Sequence, residues 1–243
     1  MIVIPMAGLS SRFTRVGYTV PKYMLPLDGQ TVFDRAVGSF AQYFDREPFL
    51  FIARSVADTE AFIAERTRSL GIPDVRTVIL DRETAGQAET VECGLIDARI
   101  GDDTALTIFN IDTFRPDFSY PKDDWFKTSD GYLEVFEGEG ANWSYAAPIP
   151  DAQEPRVART TEKQPISNLC SNGLYYFRRA SDFRSALFDE RAAMSAPELY
   201  IAPLYNHLIA RGKKVHYHLV PKNAVIFCGI PAEYEALGGM PPP

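Results

Sequence analysis

The chain has 243 residues, of which 46% are hydrophobic and 23% charged, and this composition is typical of a folded globular protein. Its formal net charge of −7 argues against a nucleic-acid partner, because a nucleic-acid surface needs a basic stripe. No apolar run reaches the ~18 residues of a membrane span, and no signal peptide is evident, so no membrane partner is expected.

Three scattered cysteines lack the spacing of metal ligands, which favours reduced thiols and a cytoplasmic location. A chain of this length fits one large α/β domain, so we predict a single domain over residues 1–243. The sequence does not reveal the oligomeric state.

The first predicted element is a short buried strand over Met1–Ile4, which is apolar and partly β-branched. The chain then turns at small residues that let backbone N–H groups approach a ligand closely. A group of such N–H donors with a nearby cation suits an anion, and Arg12 supplies a guanidinium that can hold phosphate oxygens. The candidate nucleotide-binding residues of this turn are Ala7, Gly8, Leu9, Ser10 and Ser11.

Lys22 follows a proline and adds a second positive charge in the segment Pro21–Leu27. The turn is neither a P-loop nor a dinucleotide-binding GxGxxG motif. Together, the turn, Arg12 and Pro21-Lys22 resemble the signature of the nucleotidyltransferase family, whose members join a nucleoside triphosphate to a sugar 1-phosphate or another small phosphomonoester. The turn is poorer in glycine than the usual family form.

Alternating strands and helices follow, which is typical of an α/β sheet with ligands at the carboxyl ends of the strands. Apolar periodicity predicts helices over Val32–Phe44 and Val56–Leu70, and strands over Phe49–Ala53 and Val75–Leu80. The resemblance implies a three-layer Rossmann-like fold with a mainly parallel mixed sheet and a small inserted sheet on the acceptor side.

The segment Thr84–Val91 opens the next predicted helix and contains Gly86 and Gln87. In the family, a segment here lies beside the nucleobase, so the resemblance implies nucleotide binding by both residues. The Gln87 amide offers the donor and acceptor that a base edge requires. A polar first turn of a helix remains the structural alternative.

Asp112 comes just after the strongly apolar strand Ala105–Phe109. A carboxylate at the carboxyl end of a central strand can hold Mg²⁺ against triphosphate oxygens, and the position matches the metal-binding aspartate of the family. We therefore expect Asp112 to be the metal ligand and, with Arg12 and Lys22, a catalytic residue. An Asx turn that leaves the strand is the alternative.

Two further segments match the acceptor side of the family in order and spacing. Glu162 and Lys163 correspond to a Glu-Lys pair, which implies that Glu162 holds acceptor hydroxyls and Lys163 the acceptor phosphate. Asn172 and Gly173 begin a segment like the family's Asn-x-Gly-Ile/Leu-Tyr, although here the asparagine directly precedes the glycine. A solvated ion pair and a core strand are the alternatives.

The last third of the chain departs from the family in one place. The closing segment resembles the family's, but Cys228 precedes Gly229 where an acid would supply a second metal ligand, and a thiol suits magnesium poorly. Glu198 and Asn223 are possible substitutes. We also predict an amphipathic helix over 198–211 and a frayed tail over 238–243, while the pattern between 115 and 140 is weak.

The resulting hypothesis is a nucleotidyltransferase that uses Mg²⁺, takes a nucleoside triphosphate, with a pyrimidine base favoured, and a small phosphomonoester, and releases pyrophosphate. A place in capsule or surface polysaccharide synthesis follows from the same resemblance. Two alternatives remain open at this point. One is a glycosyltransferase of related fold, in which Asn110-Ile111-Asp112 is a degenerate metal motif. The other is a non-catalytic nucleotide-binding regulator, suggested by Cys228.

Overall fold

A computed structural model describes residues 1–193 and 196–242 of the chain. The strands in chain order are β1 Ile2–Pro5, β2 Pro26–Leu27, β3 Gln30–Thr31, β4 Phe49–Arg54, β5 Val75–Leu80, β6 Leu106–Phe109, β7 Thr113–Phe114, β8 Gly131–Glu137, β9 Ser144–Pro148, β10 Val157–Glu162, β11 Leu169–Phe177, β12 Val215–Leu219 and β13 Ile226–Phe227. The α-helices are α1 Ser11–Thr14, α2 Val32–Gly38, α3 Thr59–Leu70, α4 Gln87–Asp97, α5 Asp124–Thr128, α6 Ala180–Ala193, α7 Leu204–Ala210 and α8 Pro231–Ala236.

The chain divides into two compact units, each built from separate stretches of sequence. The first unit comprises Ile2–Glu83, Phe109–Ser119 and Asn223–Pro243, and the second comprises Met1, Thr84–Ile108 and Tyr120–Lys222.

In the first unit, β1, β4 and β5 form a parallel arrangement in that order. The continuous apolar sequences of β1 and β4 agree with their burial on both faces, whereas β5, at the edge of the sheet, is only partly buried and includes the exposed Arg76. Phe33 of α2 packs with its ring centre 5.2 Å from Phe51 of β4 and 5.5 Å from Phe62 of α3. Asp34 closes a capping box with Thr31 at the start of α2.

The second unit is built mainly from antiparallel pairs, β8 with β11 and β9 with β10, while β12 joins β8 in parallel. The Tyr205 hydroxyl of α7 donates to the carbonyl oxygens of Tyr132 and Tyr176, at 2.7 and 2.9 Å, and so fastens the helix to β8 and β11. The parallel strands of the first unit and the inserted antiparallel strands of the second confirm the predicted α/β class.

Three local expectations are corrected, and one stretch without a prediction contains regular structure. The predicted helix over 198–211 begins only at Leu204, and the one over 32–44 ends at Gly38 before a short 3₁₀ turn, Ala41–Tyr43. The weakly patterned stretch contains α5 and the buried strand β8. The tail, expected to fray, is instead attached as far as Met240, whose carbonyl accepts from the Tyr18 hydroxyl at 3.1 Å; Pro243 lies outside the described residues.

None of the helices in the described ranges combines the length and apolar character that a membrane span requires.

His216, which lies with His218 on β12, is buried and contacts other residues of the protein. Its Nδ1 is 2.8 Å from the Ser129 hydroxyl, its Nε2 is 3.2 Å from Glu154, and its ring stacks on Trp125 at 4.8 Å.

Candidate active site

The loop that follows β1 presents a series of unused backbone donors. Buried β1 is held at its end by a hydrogen bond from Met6 N–H to the Ile52 carbonyl of 2.8 Å. Gly8 and Leu9 are exposed, and in the described part of the chain the N–H groups of residues 8–12 donate no hydrogen bond. Ser10 has a left-handed backbone, with φ of 52°. Successive free N–H groups of this kind are suited to binding an anion.

Gly8 has open space around it. A Cβ atom built there would meet no heavy atom within 4 Å, so the protein itself does not require glycine at this position. The small side chain instead leaves room above the loop, which a bound molecule can use.

Lys22 and Asp112, ninety residues apart, form an ion pair in the first unit between Lys22 Nζ and Asp112 Oδ2. The two side chains are 20% and 22% exposed, so the pair is reachable by a ligand but largely removed from water. The Lys22 N–H also donates to the Ser10 hydroxyl at 3.3 Å, which ties the lysine to the donor-rich loop.

Arg12 lies on α1 beside the loop and is exposed. Within the described ranges it makes no ion pair or hydrogen bond through its side chain, so the structure does not join it to the Lys22–Asp112 pair. Its guanidinium is available to a ligand at the loop.

The backbone around Asp112 is fixed by a short antiparallel ladder between β7 and β13. The Cys228 N–H donates to the Asp112 carbonyl at 2.8 Å, and a Cβ built at Gly229 would lie 3.2 Å from Asp112 Oδ2. Gly229 therefore leaves free the space directly beside the carboxylate. The Cys228 thiol is buried, and burial raises its pKa to about 12, so it is a neutral group and not a ligand for a hard cation.

Glu233 is a second carboxylate next to Gly229, but it caps α8. Its Oε2 accepts hydrogen bonds from the N–H groups of Gly229, at 2.8 Å, and Ile230, at 3.3 Å. Among the residues that the structure describes, no three His, Cys, Asp or Glu side chains form a group able to hold a metal ion. Asn223, in a 3₁₀ turn, and Glu198, in the second unit, are both exposed.

In the second unit, Gly86 precedes the first residue of α4, Gln87, and has φ of 149°. A Cβ at Gly86 would lie 2.6 Å from the backbone nitrogen and oxygen of Leu199. Glycine is required here, because the Leu199 backbone is held against this segment: its N–H donates to the Ala85 carbonyl at 2.9 Å, and its carbonyl accepts from the Ala88 N–H at 2.8 Å. Gln87 is half-buried.

Glu162 is the last residue of β10 and Lys163 follows it, and each has a polar partner. The Ser144 hydroxyl donates to Glu162, and burial raises the pKa of the Glu162 carboxyl. The Lys163 ammonium donates to the Tyr200 hydroxyl at 2.5 Å, and this hydrogen bond raises the pKa of Lys163. A carboxylate and an ammonium on neighbouring residues present groups for hydroxyls and for an anion.

Asn172 and Gly173 form an irregularity in β11, where the pairing with β8 shifts register. Gly173 has φ of 91°. The Asn172 side chain is only 2% exposed; its amide donates to buried Glu134 at 2.6 Å and its oxygen accepts from Leu174 N–H at 3.1 Å. The structure thus gives Asn172 a role in shaping the strand, while ligand contact by Asn172 and Gly173 stays a prediction.

Comparison with solved structures identifies the family. The nucleoside-diphosphate-sugar pyrophosphorylase from Vibrio cholerae RC9 is 51% identical and superimposes with a TM-score of 0.92, over 98% of this chain and 99% of its own. The chain belongs to the sugar-phosphate nucleotidyltransferase family.

Two more distant solved structures share the fold of this nucleotidyltransferase. A putative glucose-1-phosphate thymidylyltransferase from Bacillus anthracis is 17% identical with a TM-score of 0.72, over 97% of this chain and 92% of its own. The inositol-1-phosphate CTP transferase from T. maritima is 14% identical with a TM-score of 0.73, over 98% and 94%. No family model matches the chain, and no curated protein matches it either.

Family membership confirms that the chain is an enzyme, a nucleotidyltransferase, and decides against the two alternatives of a glycosyltransferase and a non-catalytic regulator. In this nucleotidyltransferase, sequence reasoning missed Ser144, Tyr200 and Glu134, which contact three of the candidate acceptor residues. Tyr200 fell within the predicted helix over 198–211, and Glu134 within the weak pattern, so neither carried a signal.

Proposed function

We propose that this nucleotidyltransferase joins a pyrimidine nucleoside triphosphate to a sugar 1-phosphate or a similar phosphomonoester, with release of pyrophosphate. The observation that carries the proposal is the Lys22–Asp112 ion pair, tied through Ser10 to a loop of free N–H donors. The pyrimidine base is supported by the compact chain and by the thymidylyl and CTP activities in the names of the two distant fold neighbours.

The loop is proposed to bind the triphosphate. The backbone N–H groups of residues 8–12 donate to phosphate oxygens, the Arg12 guanidinium holds them in a bidentate contact, and the Lys22 ammonium adds a positive charge. Gly86 and Gln87 are proposed to lie beside the base, with the Gln87 amide as donor and acceptor to its edge.

Asp112 is proposed to hold Mg²⁺. A hard oxygen ligand suits this ion, and Mg²⁺ is commonly bound through one or two carboxylates together with substrate phosphates and water. The absence of a side chain at Gly229 leaves room against Asp112 Oδ2, which agrees with this assignment. When bound, the ion would neutralise charge on the triphosphate oxygens.

Glu162, Lys163, Asn172 and Gly173 are proposed to bind the acceptor. The Lys163 ammonium attracts the phosphate dianion, and the Glu162 carboxylate accepts from sugar hydroxyls. The Asn172–Glu134 hydrogen bond would hold the strand so that the backbone at Gly173 faces the acceptor.

An acceptor oxygen attacks the α-phosphorus of the triphosphate in line, the new P–O bond forms, and pyrophosphate leaves with the electrons of the broken bond. A phosphomonoester is mostly dianionic at neutral pH, because its second pKa is about 6, so the nucleophile needs no general base. The protein instead holds two mutually repelling anions and stabilises charge on the leaving group, which cationic side chains and free N–H donors can do.

We further propose a cytoplasmic enzyme that makes activated head groups for capsule or surface polysaccharide. The location is supported by the three cysteines, Cys93, Cys170 and Cys228, none of which forms a disulfide among the described residues. The biosynthetic role rests on family resemblance alone.

The test is a pyrophosphate-release screen of CTP, UTP, dTTP, ATP and GTP against sugar and non-sugar phosphomonoesters, with Mg²⁺. We expect release with one pyrimidine triphosphate and only when an acceptor is present. Lys22→Ala should abolish most of it. Lys127→Ala is the matched control, because Lys127 also pairs with an aspartate, Asp124, but on an exposed surface. Release that prefers a purine triphosphate would refute the base assignment, and release without acceptor would refute the reaction.

A further inference from the structure

The position of the Lys163 ammonium is determined by contacts that the proposed reaction does not account for. Lys163 has a left-handed backbone, with φ of 57°, and its N–H donates to the Trp143 carbonyl at 2.9 Å. Its ammonium donates to the Tyr200 hydroxyl at 2.5 Å and lies 4.6 Å from the centre of the same ring. A long, flexible lysine side chain is thereby restricted to one region, with a hydrogen bond and a cation–π contact.

Tyr200 is itself attached to the segment that carries Gly86 and Gln87. The preceding residue, Leu199, is buried and makes two backbone hydrogen bonds with that segment, Leu199 N–H to Ala85 O at 2.9 Å and Ala88 N–H to Leu199 O at 2.8 Å. A Cβ at Gly86 would lie only 2.6 Å from the Leu199 backbone, so the two backbones are in close contact at this point. Moving one stretch relative to the other would break this close packing.

The charged groups around this contact favour an ammonium and a neutral phenol. Burial raises the pKa of Tyr200, and the hydrogen bond to Tyr200 raises that of Lys163, to which the nearby carboxylates of Glu162 and Glu198 also contribute. Glu198 is in addition a side-chain hydrogen-bond partner of Tyr200. The phenol can accept from Lys163 while its own proton is directed to a carboxylate.

We infer that Tyr200 is a positioning residue of the acceptor site, which fixes the Lys163 ammonium in register with the Gly86–Gln87 segment. The inference rests on the proposed role of Lys163 as the ligand of the acceptor phosphate. Its consequence is selective: Tyr200 governs use of the phosphomonoester and leaves binding of the triphosphate unchanged.

The decisive variant is Tyr200→Phe, which keeps the ring and removes only the hydroxyl. Loss of a hydrogen bond to a charged group should raise the KM for the acceptor about tenfold, while kcat and the KM for the triphosphate stay within about twofold. The alkaline limb of kcat/KM for the acceptor should move to lower pH, because Lys163 loses the hydrogen bond that raises its pKa. Tyr217→Phe is the matched control, since Tyr217 is a half-exposed tyrosine of the same unit whose hydroxyl has no side-chain partner among the described residues.

A direct readout keeps this inference separate from the proposed reaction. With ¹³Cε-labelled lysine, NMR titration should give Lys163 a lower pKa in Tyr200→Phe than in the wild type and in Tyr217→Phe. An unchanged Lys163 pKa, or a parallel rise in the KM for both substrates together with a lower melting temperature, would overturn the positioning role. If the wild type transfers to no phosphomonoester, the proposed function fails, whereas the titration still decides on the Lys163–Tyr200 contact.

Discussion

Replacing Asp112 by asparagine removes the charge of the Lys22–Asp112 pair and preserves the shape of the side chain. The expected effect on stability follows from the burial of the pair. Exposed ion pairs contribute about 0–1 kcal/mol, and breaking a fully buried pair costs about 3–5 kcal/mol. With the two side chains 20% and 22% exposed, Asp112→Asn falls between these limits, so we expect a loss of roughly 2 kcal/mol.

For a protein of this size, such a loss lowers the melting temperature by about 4–8 °C, which leaves the variant folded at room temperature. Its turnover should fall much further. A contact that stabilises charge in the transition state is worth about 100- to 1000-fold in kcat, and Asp112 is proposed to hold Mg²⁺ and pairs with Lys22. The substitution therefore separates catalysis from folding.

The assay combines pyrophosphate release at saturating substrates and Mg²⁺ with a thermal melt of the same preparation. Asp124→Asn is the control, because it breaks the exposed pair with Lys127 and should change neither quantity measurably. A folded Asp112→Asn enzyme with near-normal turnover would show that the carboxylate does not take part in the reaction.

Two further predictions concern other parts of the site. The pKa of Glu162 is higher in the folded protein than the usual value of a glutamate. As pH rises from the usual value through the raised one, the Glu162→Gln variant should become more stable relative to the wild type. The reason is that the buried carboxylate opposes folding once it is ionised, whereas the amide does not. Thermal melts of both proteins at pH 4 to 8 check this, and a difference in melting temperature that does not change with pH would contradict it. Gly86→Ala should lower the unfolding free energy by about 3 kcal/mol or more, because the new methyl group clashes with the Leu199 backbone. Gly8→Ala should change the unfolding free energy by no more than about 0.5 kcal/mol, but it should raise the KM for the triphosphate. Denaturant titration and kinetics distinguish the two, and equal stability of both variants would refute the packing argument.

Much of the fold was accessible from local pattern. Apolar and β-branched residues predicted β1, β4, β5 and β6, because such signals arise from neighbouring residues along the chain. The stretch that contains α5 and β8 gave no such signal. Strand β8 is buried along nearly its whole length yet carries Glu134, whose side chain accepts a hydrogen bond from Asn172 on another strand.

The candidate site divides in the same way. The sequence by itself determined the chemistry that is present: a turn of small residues, two cations, one aspartate after a strand, and a Glu-Lys pair, and these sufficed to name the family. Only the tertiary structure decided which of them meet. It joined Lys22 to Asp112 across ninety residues, attached Lys163 to Tyr200 and left Arg12 free of protein partners in the described part. Such pairings depend on how distant strands and loops pack, and no local periodicity encodes them.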